Sequence, residues 1–307
     1  MCGAAEVGDS AGGFTTVPGP SGTRFGDVRR FAEIDSTNRY LLDLARHGAP
    51  EGTVVVADHQ SAGRGRLGRR WEAPLGANLL VSVLLRPDVP VDELHLCTVA
   101  VALAATDACA RVSGLVPELK WPNDLMVGER KLAGILAESL VGAPGDGPER
   151  RNESAAAVVV GVGVNVRWPP ADPPASSEDA SLDDADVAFA GDADLASAGD
   201  ADLLRTATSI WRETGAVVDP MVLLDALLVE LEPHVVELAS REGRRRLASA
   251  YRRRCATVGR TVRVSTAQDE LTGTATDITV EGHLVVDVGA CFKTIAAGDV
   301  VHLRRPV

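Results

Sequence analysis

The run Gly63-Arg64-Gly65-Arg66-Leu67-Gly68-Arg69-Arg70-Trp71 combines glycines, which free a backbone, with guanidinium groups, which hold anions. By letter it fits G-x-G-x-x-G, the turn that cradles dinucleotide phosphates. That turn must open a helix whose N-terminus holds the pyrophosphate. Here the glycines run into Trp71, Pro74 and Gly76, then into the β-like apolar residues 78–85. A dinucleotide turn binds phosphate through backbone N–H groups and has no need of four arginines. An arginine-bearing glycine loop suits a mobile lid over a small anionic ligand. The plain alternative is a solvated basic hairpin.

Four other segments carry groups that could meet such a ligand. Asp35-Ser36-Thr37-Asn38 is either a simple helix cap or a ring of short donors and acceptors for a polar head group. Lys120-Trp121-Pro122-Asn123-Asp124 sets a proline inside a strand-like run, which points to an edge or an irregular strand. Its Asn and Asp could serve a metal or a nucleotide, although a turn also explains them. Lys131-Leu132-Ala133-Gly134-Ile135-Leu136 opens a strand with a lysine. A lysine there is ordinarily solvated, but Ala133 and Gly134 leave room for a ligand within its reach. Gly161-Val162-Gly163-Val164-Asn165 places two glycines in a valine-rich strand, a costly choice unless something approaches the backbone closely.

The elements that must position these groups can be read from local pattern. Residues 35–38 cap a helix carrying Tyr40, Leu41, Leu44 and Ala45, with Gly48 as its stop. Residues 53–58 and 78–85 read as strands, and 91–112 as a long Ala/Leu/Val helix ending near Gly114. Segments 118–127 and 131–140 flank Gly128-Glu129 as a hairpin, and 155–166 reads as a buried strand. Helical stretches follow at 203–214 and 220–254, the second started by Asp219-Pro220. After Cys255 come five short alternating β segments, a small barrel-like domain spanning 255–307. Helices mixed with strands, then strands alone, predict an α+β domain over 25–254 with a β appendage.

Composition limits the function classes. At 307 residues and 45% apolar, the chain can bury a large core, and with 4% aromatics that core is aliphatic. No stretch reads as the roughly 18 apolar residues of a membrane span, so no membrane partner is expected. Residues 1–24 lack the pattern of a signal peptide and read as a disordered tail. Five scattered cysteines and no ligand-spaced histidines favour reduced thiols, a cytoplasmic setting and no structural metal. Ten acids and no bases lie between Trp168 and Leu204; without them the net charge of −12 becomes −2. The acidity therefore belongs to a flexible loop over 169–201, and no basic domain of nucleic-acid-binding type remains. The runs Arg244-Arg245-Arg246 and Arg252-Arg253-Arg254 read as a solvated helix face that could also pair with that loop.

Taken in order and at their spacings, Ser36-Thr37-Asn38, Gln60-Ser61-Ala62-Gly63-Arg64-Gly65-Arg66, Lys120-Trp121-Pro122-Asn123-Asp124, Lys131-Leu132-Ala133-Gly134-Ile135 and Gly161-Val162-Gly163-Val164-Asn165 resemble the biotin–protein ligases over 25–307. The resemblance implies a catalytic domain with a mixed sheet and helices, followed by a small SH3-like β-barrel. It implies ATP-dependent activation of biotin as biotinyl-5′-AMP, then transfer to a lysine of a biotin carboxyl carrier domain of an acyl-CoA or pyruvate carboxylase. On this reading Lys131 and Arg66 are catalytic. Ser36, Thr37, Asn38, Gln60, Arg64, Gly65, Arg66, Lys131, Gly134, Gly161 and Gly163 bind biotin. Arg66, Arg69, Trp71, Asn123, Asp124, Lys131 and Asn165 bind ATP, and Asp124 serves Mg²⁺ indirectly. Many relatives begin with a DNA-binding winged helix-turn-helix. The two dozen low-complexity residues before Phe25 are too few for one, so no DNA partner is expected. Trp168 and Trp211 both flank the acidic stretch as candidates for stacking on adenine. A lipoate or octanoate ligase is the nearest rival reading, and a non-catalytic biotin sensor is the rival of another class.

Overall fold

Alternating and continuous apolar runs both become strands in this chain, whose computed structural model describes residues 7–9, 13–140, 157–169, 205–266 and 269–303. Val7–Asp9 (β1), Phe14–Pro18 (β2) and Asp27–Ile34 (β3) begin the main sheet. Part of the expected disordered tail is therefore ordered: β2 pairs antiparallel with β3. The tail's last residue, Arg24, bonds Glu232 and Glu51, and Phe25 just beyond the tail is fully buried. Thr37–Arg46 (α1) follows, capped by Ser36, whose side chain accepts from Arg39 N.

Val54–Gln60 (β4) runs parallel to β3, and Leu79–Leu85 (β5), buried throughout, runs antiparallel to β4. Leu96–Ser113 (α2) ends at Gly114, whose φ of 74° provides the left-handed cap. Residues 91–93, expected as the start of this helix, form a separate 3-10 turn. Val91–Ser113 is long and apolar enough to cross a membrane by length and composition, against the sequence expectation. Most of that window is buried within the protein, as a core helix is.

The run 118–127, expected as one strand, is two: Glu118–Lys120 (β6) and Asp124–Val127 (β7). They fold back on each other around the cis Trp121–Pro122 bond. The hairpin at Gly128-Glu129 is present, joining β7 to Arg130–Leu140 (β8). Ala157–Val164 (β9) lies between β5 and β8, giving the order β1-β2-β3-β4-β5-β9-β8-β7-β6. Only the β3–β4 pair is parallel among these, so the sheet is mixed as expected.

In the stretch expected to be helical over 203–214, the named helix is Ile210–Thr214 (α3). The stretch 220–254 is two helices, Pro220–Leu238 (α4) and Arg241–Arg254 (α5). Pro233 does not end α4. The break falls at Ser240, which caps α5 by accepting from Gly243 N. One sheet face and α1 enclose Phe31, Leu41, Ala45, Val55 and Leu84. The other face packs on α2 and α4 in a larger aliphatic core.

Thr261–Ser265 (β10), Glu270–Ile278 (β11), Leu284–Asp287 (β12), Phe292–Ile295 (β13) and Asp299–His302 (β14) form the expected small β unit. It is a five-stranded antiparallel sheet of order β13-β12-β11-β10-β14. Trp121 ties it to the main sheet: its N donates to Thr257 Oγ1 at 3.0 Å and its indole to Gly282 O at 3.2 Å. The arginine runs on α5 pair locally: Arg244 with Glu93, Arg246 with Glu237, Arg252 with Asp277 and Arg254 with Asp107. The acidic loop from residue 170 onward lies outside the described residues.

Candidate active site

The glycine loop does not open a helix. A 3-10 turn over Arg66–Gly68 sits between Gly63 and Trp71, with Leu67 at φ 57° and Gly68 at φ 74°. Gly65 N donates to Arg69 O at 2.7 Å and Trp71 N to Gly63 O at 3.1 Å, so the loop is a closed lobe that leads into β5. This geometry removes the dinucleotide reading, because no helix N-terminus faces a phosphate there.

The lobe is clasped at three points. Arg64 pairs with Glu138 at 3.0 Å, and Arg69 pairs with Asp299 of the small β unit. Arg66 Nη1 donates to Asn123 Oδ1 at 3.0 Å and Nη2 to Gly298 O at 3.1 Å. Burial lowers the Arg66 pKa from its usual value, against the opposing pull of Asp299 and Asp124; a guanidinium nevertheless stays charged.

Beneath the lobe, the end of β4 and the start of α1 supply a polar ring. Thr37 N donates to Gln60 Oε1 at 2.8 Å. Asn38 Nδ2 donates to Leu136 O at 3.1 Å and Glu138 Oε2 at 2.9 Å. Ser82, fully buried on β5, donates to Thr37 Oγ1 or Asn38 Oδ1, at 2.8 and 2.6 Å. Ser36-Thr37-Asn38 thus serves both sequence readings: Ser36 caps the helix, and Thr37 and Asn38 are buried in the ring.

The three strand glycines open one surface. β8 and β9 pair Gly134 with Gly163 and Leu136 with Gly161. A Cβ at Gly161 would overlap the Asn38 amide, one at Gly163 would overlap the Trp71 indole, and one at Gly134 would stand 3.0 Å from Trp71 Cζ3. The close approach read from sequence is real, and in this structure the approaching groups are the indole and the Asn38 amide. Trp71 Nε1 is buried with no hydrogen-bond partner among the described residues, an open donor in the cavity wall.

Lys131 Nζ lies 2.7 Å from Asp124 Oδ1 and 5.6 Å from the centre of the Trp71 ring. The Asp124 contact is an ion pair without hydrogen-bond alignment, so that buried carboxylate oxygen still lacks a donor among the described residues. Asn123 locks the β6–β7 turn onto β8, donating from Nδ2 to Ile135 O at 2.8 Å and accepting Ile135 N on its carbonyl at 2.9 Å.

All but one of the residues expected to bind ligand line a single cavity. The exception is Asn165. It is buried outside the cavity wall and holds the scaffold, donating to Thr208 O at 2.9 Å and accepting from Asn78 at 3.0 Å. Sequence reasoning missed Arg70, Leu136 and Asp299, which also line the cavity, and Ser82, which braces its polar ring. A serine inside the apolar run 79–85 was the available signal for Ser82; Asp299 had none, being 230 residues from Arg69. Trp168 is part-buried and its backbone N donates to Asn78 Oδ1, while Trp211 is 36% exposed; neither lines the cavity.

No group of three His, Cys, Asp or Glu residues able to hold a metal occurs among the described residues. With Asp124 engaged by Lys131, a magnesium ion would fit here only as a guest of ligand phosphates, touching Asp124 indirectly.

The arrangement is two cations, Lys131 and Arg66, over a glycine-floored slot with a polar ring at one end. It can hold an anion next to a flat polar head group. The model of the biotin/lipoate A/B protein ligase family matches residues 31–165, and that of the biotin protein ligase C-terminal domain matches 257–303. The chain is 37% identical over 290 residues to a biotin–[acetyl-CoA-carboxylase] ligase of Mycobacterium tuberculosis, covering 92% of this chain and 91% of the relative. It is 31% identical over 271 residues to the ligase of the same name from Paracoccus denitrificans, covering 88% and 98%. Its fold matches a biotin protein ligase of Aquifex aeolicus in complex with biotin and ATP, with a TM-score of 0.65, 22% identity, and coverage of 91% and 99%. With so close a relative spanning nearly the whole chain, and both family models matched in order, the chain belongs to the biotin protein ligase family.

Proposed function

We propose that this protein activates biotin with ATP as biotinyl-5′-AMP and transfers the biotinyl group to a lysine of a biotin carboxyl carrier domain. The observation that carries the reading is the convergence on one cavity of Lys131, Arg66 and Asp124 with the ring of Thr37, Asn38 and Gln60. Biotin's carboxylate attacks the α-phosphate of ATP and pyrophosphate leaves; a carrier amine then attacks the acyl carbon and AMP leaves. Both steps gather negative charge around one phosphate. Fixed cations in a site that excludes water stabilise such charge more than water does. Lys131, held by Asp124 and packed over the Trp71 face, is one such fixed cation. Arg66 arrives with the lobe and covers the mixed anhydride against hydrolysis.

Magnesium, carried in with ATP, would offset phosphate charge on the Asp124 side. The carrier domains of acetyl-CoA carboxylase, and of other acyl-CoA and pyruvate carboxylases, are the acceptors. The setting is cytoplasmic. The deciding experiment offers biotin and lipoate separately in an ATP–pyrophosphate exchange assay, followed by mass measurement of a carrier domain. Exchange that depends on biotin, with a biotinyl mass added to the carrier, is expected. Exchange with lipoate alone would replace this reading with that of a lipoate ligase, and tight biotin binding without exchange would replace it with that of a sensor.

A further inference from the structure

A second cavity, of about 460 Å³, lies behind the glycine lobe. It is bounded by β8 over residues 135–139, the first turn of α2, Tyr251 of α5 and the Gly282 and Ala296-Ala297 loops of the small β unit. Leu94, Val99, Trp121, Ile135 and Val158 give its wall an apolar part, beside polar groups such as Thr98 and Glu138. It shares Arg64, Gly65, Arg66, Asn123, Ile135 and Leu136 with the first cavity, and the 3.0 Å hydrogen bond from Arg66 to Asn123 joins two of these shared residues.

The ring of Tyr251 packs in the core, but packing does not account for its hydroxyl. The residue is 1% exposed, and its hydroxyl has no hydrogen-bond partner among the described residues. Leaving a buried hydroxyl unpaired is costly, so one expects a partner that arrives during function. Tyr251 lines the cavity together with Arg66, and its hydroxyl stands within the electrostatic reach of both Arg66 and Asp124. Elsewhere the wall opens: Ala137 and Ser139 are exposed although they follow Ile135 on the same side of β8.

From this we infer that the second cavity receives the aliphatic arm of the acceptor lysine, and that the Tyr251 hydroxyl oxygen positions the amine by accepting one of its N–H groups. The inference rests on the ligase reading of the first cavity. Acid and nucleotide occupy the first cavity after activation, so the second nucleophile needs a separate approach. Four methylenes suit the apolar part of the wall, and a polar head suits the tyrosine. In the transfer itself the lysine ammonium first gives a proton to water. The amine lone pair then forms the C–N bond, the acyl C–O bond breaks with its electron pair leaving on AMP, and the nitrogen's second proton passes to water. Tyr251 is a positioning residue and undergoes no covalent change.

The test uses the full chain, a carrier domain and, as a small nucleophile, hydroxylamine. Ala137→Trp plugs the open end at an exposed position. Carrier biotinylation, normalised to adenylate formed, should fall by about tenfold or more, while hydroxylamine still discharges the adenylate within about twofold of wild type. Tyr251→Phe should lower the maximal transfer rate to the carrier with little change in its KM, because docking is kept and aim is lost. A plugged variant that biotinylates the carrier within twofold of wild type overturns the inference. So does a plug that slows hydroxylamine discharge as much as carrier transfer, or a Tyr251→Phe variant with an unchanged transfer rate. Absence of biotin-dependent exchange in the wild-type chain would instead overturn the ligase reading.

Discussion

Replacing Lys131 with alanine should separate catalysis from stability more cleanly than any other change in this site. The ammonium lies 2.7 Å from Asp124, with the lysine side chain 34% exposed and the aspartate 19%. The lysine is partly solvated, but the Asp124 oxygen it faces is buried, so losing the ammonium costs the fold about 1–3 kcal/mol, roughly 2–10 °C in Tm. Its catalytic weight is larger, because the charge it faces grows only as the phosphorus–oxygen bonds rearrange. Loss of one preorganised donor at such a centre costs about 2.7–4 kcal/mol, or about 10²–10³ in rate. The assay is biotin-dependent ATP–pyrophosphate exchange together with single-turnover transfer to a carrier domain, with thermal unfolding measured on the same sample. Lys131→Arg is a useful companion: it keeps the charge but replaces a point cation with a planar fork, and should restore only part of the rate. If Lys131→Ala keeps more than half of the wild-type rate in both steps, Lys131 has no part in the chemistry. If instead both rate and Tm collapse together, the lysine is scaffold.

Gly163→Ala should push the Trp71 indole off the β8–β9 surface and destabilise the fold by about 1–3 kcal/mol of overpacking, with weaker biotin binding by calorimetric titration; unchanged affinity would show that the indole does not wall the ligand slot. Arg66→Gly should let biotinyl-AMP escape, so that pyrophosphate exceeds biotinylated carrier when carrier is limiting; one-to-one coupling would remove Arg66 from the lid. His302 is pushed down to about 4 by burial and by Lys120 and Arg260 nearby, so it stays neutral in the fold while the unfolded chain takes a proton below its ordinary 6.5. Its contribution is therefore present above pH 6.5 and lost as pH falls toward 4. With its partial exposure the loss is about 1–2 kcal/mol, and His302→Gln should flatten the dependence of Tm on pH in that window.

Much of the site was legible because its signals are local. Glycines without a following helix, a lysine opening a strand, and glycines in a valine run each state a conformational fact about their own neighbourhood. What escaped was set by partners far away in sequence. β3 carries Arg29, Arg30 and Glu33 among its apolar residues, and its alternation makes sense only once Arg30 meets Asp58 and Phe31 meets α1. β2 becomes a strand because β3 offers it an edge. Asn165 belongs to a strand motif by sequence, yet the chain's return through Thr208 captures its amide for structure. The 220–254 stretch misled for the opposite reason. Pro233 is the conspicuous breaker, but burial of Leu231, Val235 and Leu238 carries the helix past it to a serine cap.

The partners of Arg64, Arg66 and Arg69 show why these lobe arginines are not equivalent. Arg64 and Arg69 already hold carboxylates, Glu138 and Asp299, so a ligand phosphate would have to replace one anion by another. The exchange gains little, and both residues serve better as the ties that keep the lobe near its closed position. Arg66 hydrogen-bonds two neutral oxygens, those of Asn123 and Gly298, in a more buried place that already lowers its pKa. Trading a neutral acceptor for a phosphate oxygen turns an ordinary hydrogen bond into a charge-assisted one, roughly twice as strong. A charge that burial has left poorly compensated has the most to gain from an incoming anion. On the proposed function the lobe would be held shut loosely by Arg64 and Arg69 and closed firmly by Arg66 only when an adenylate is present. The Asn123 and Gly298 contacts keep Arg66 in place until then. Weakening them with Asn123→Ala would leave Arg66 without its resting partner, and the lobe should then sample open forms more often in the absence of ligand.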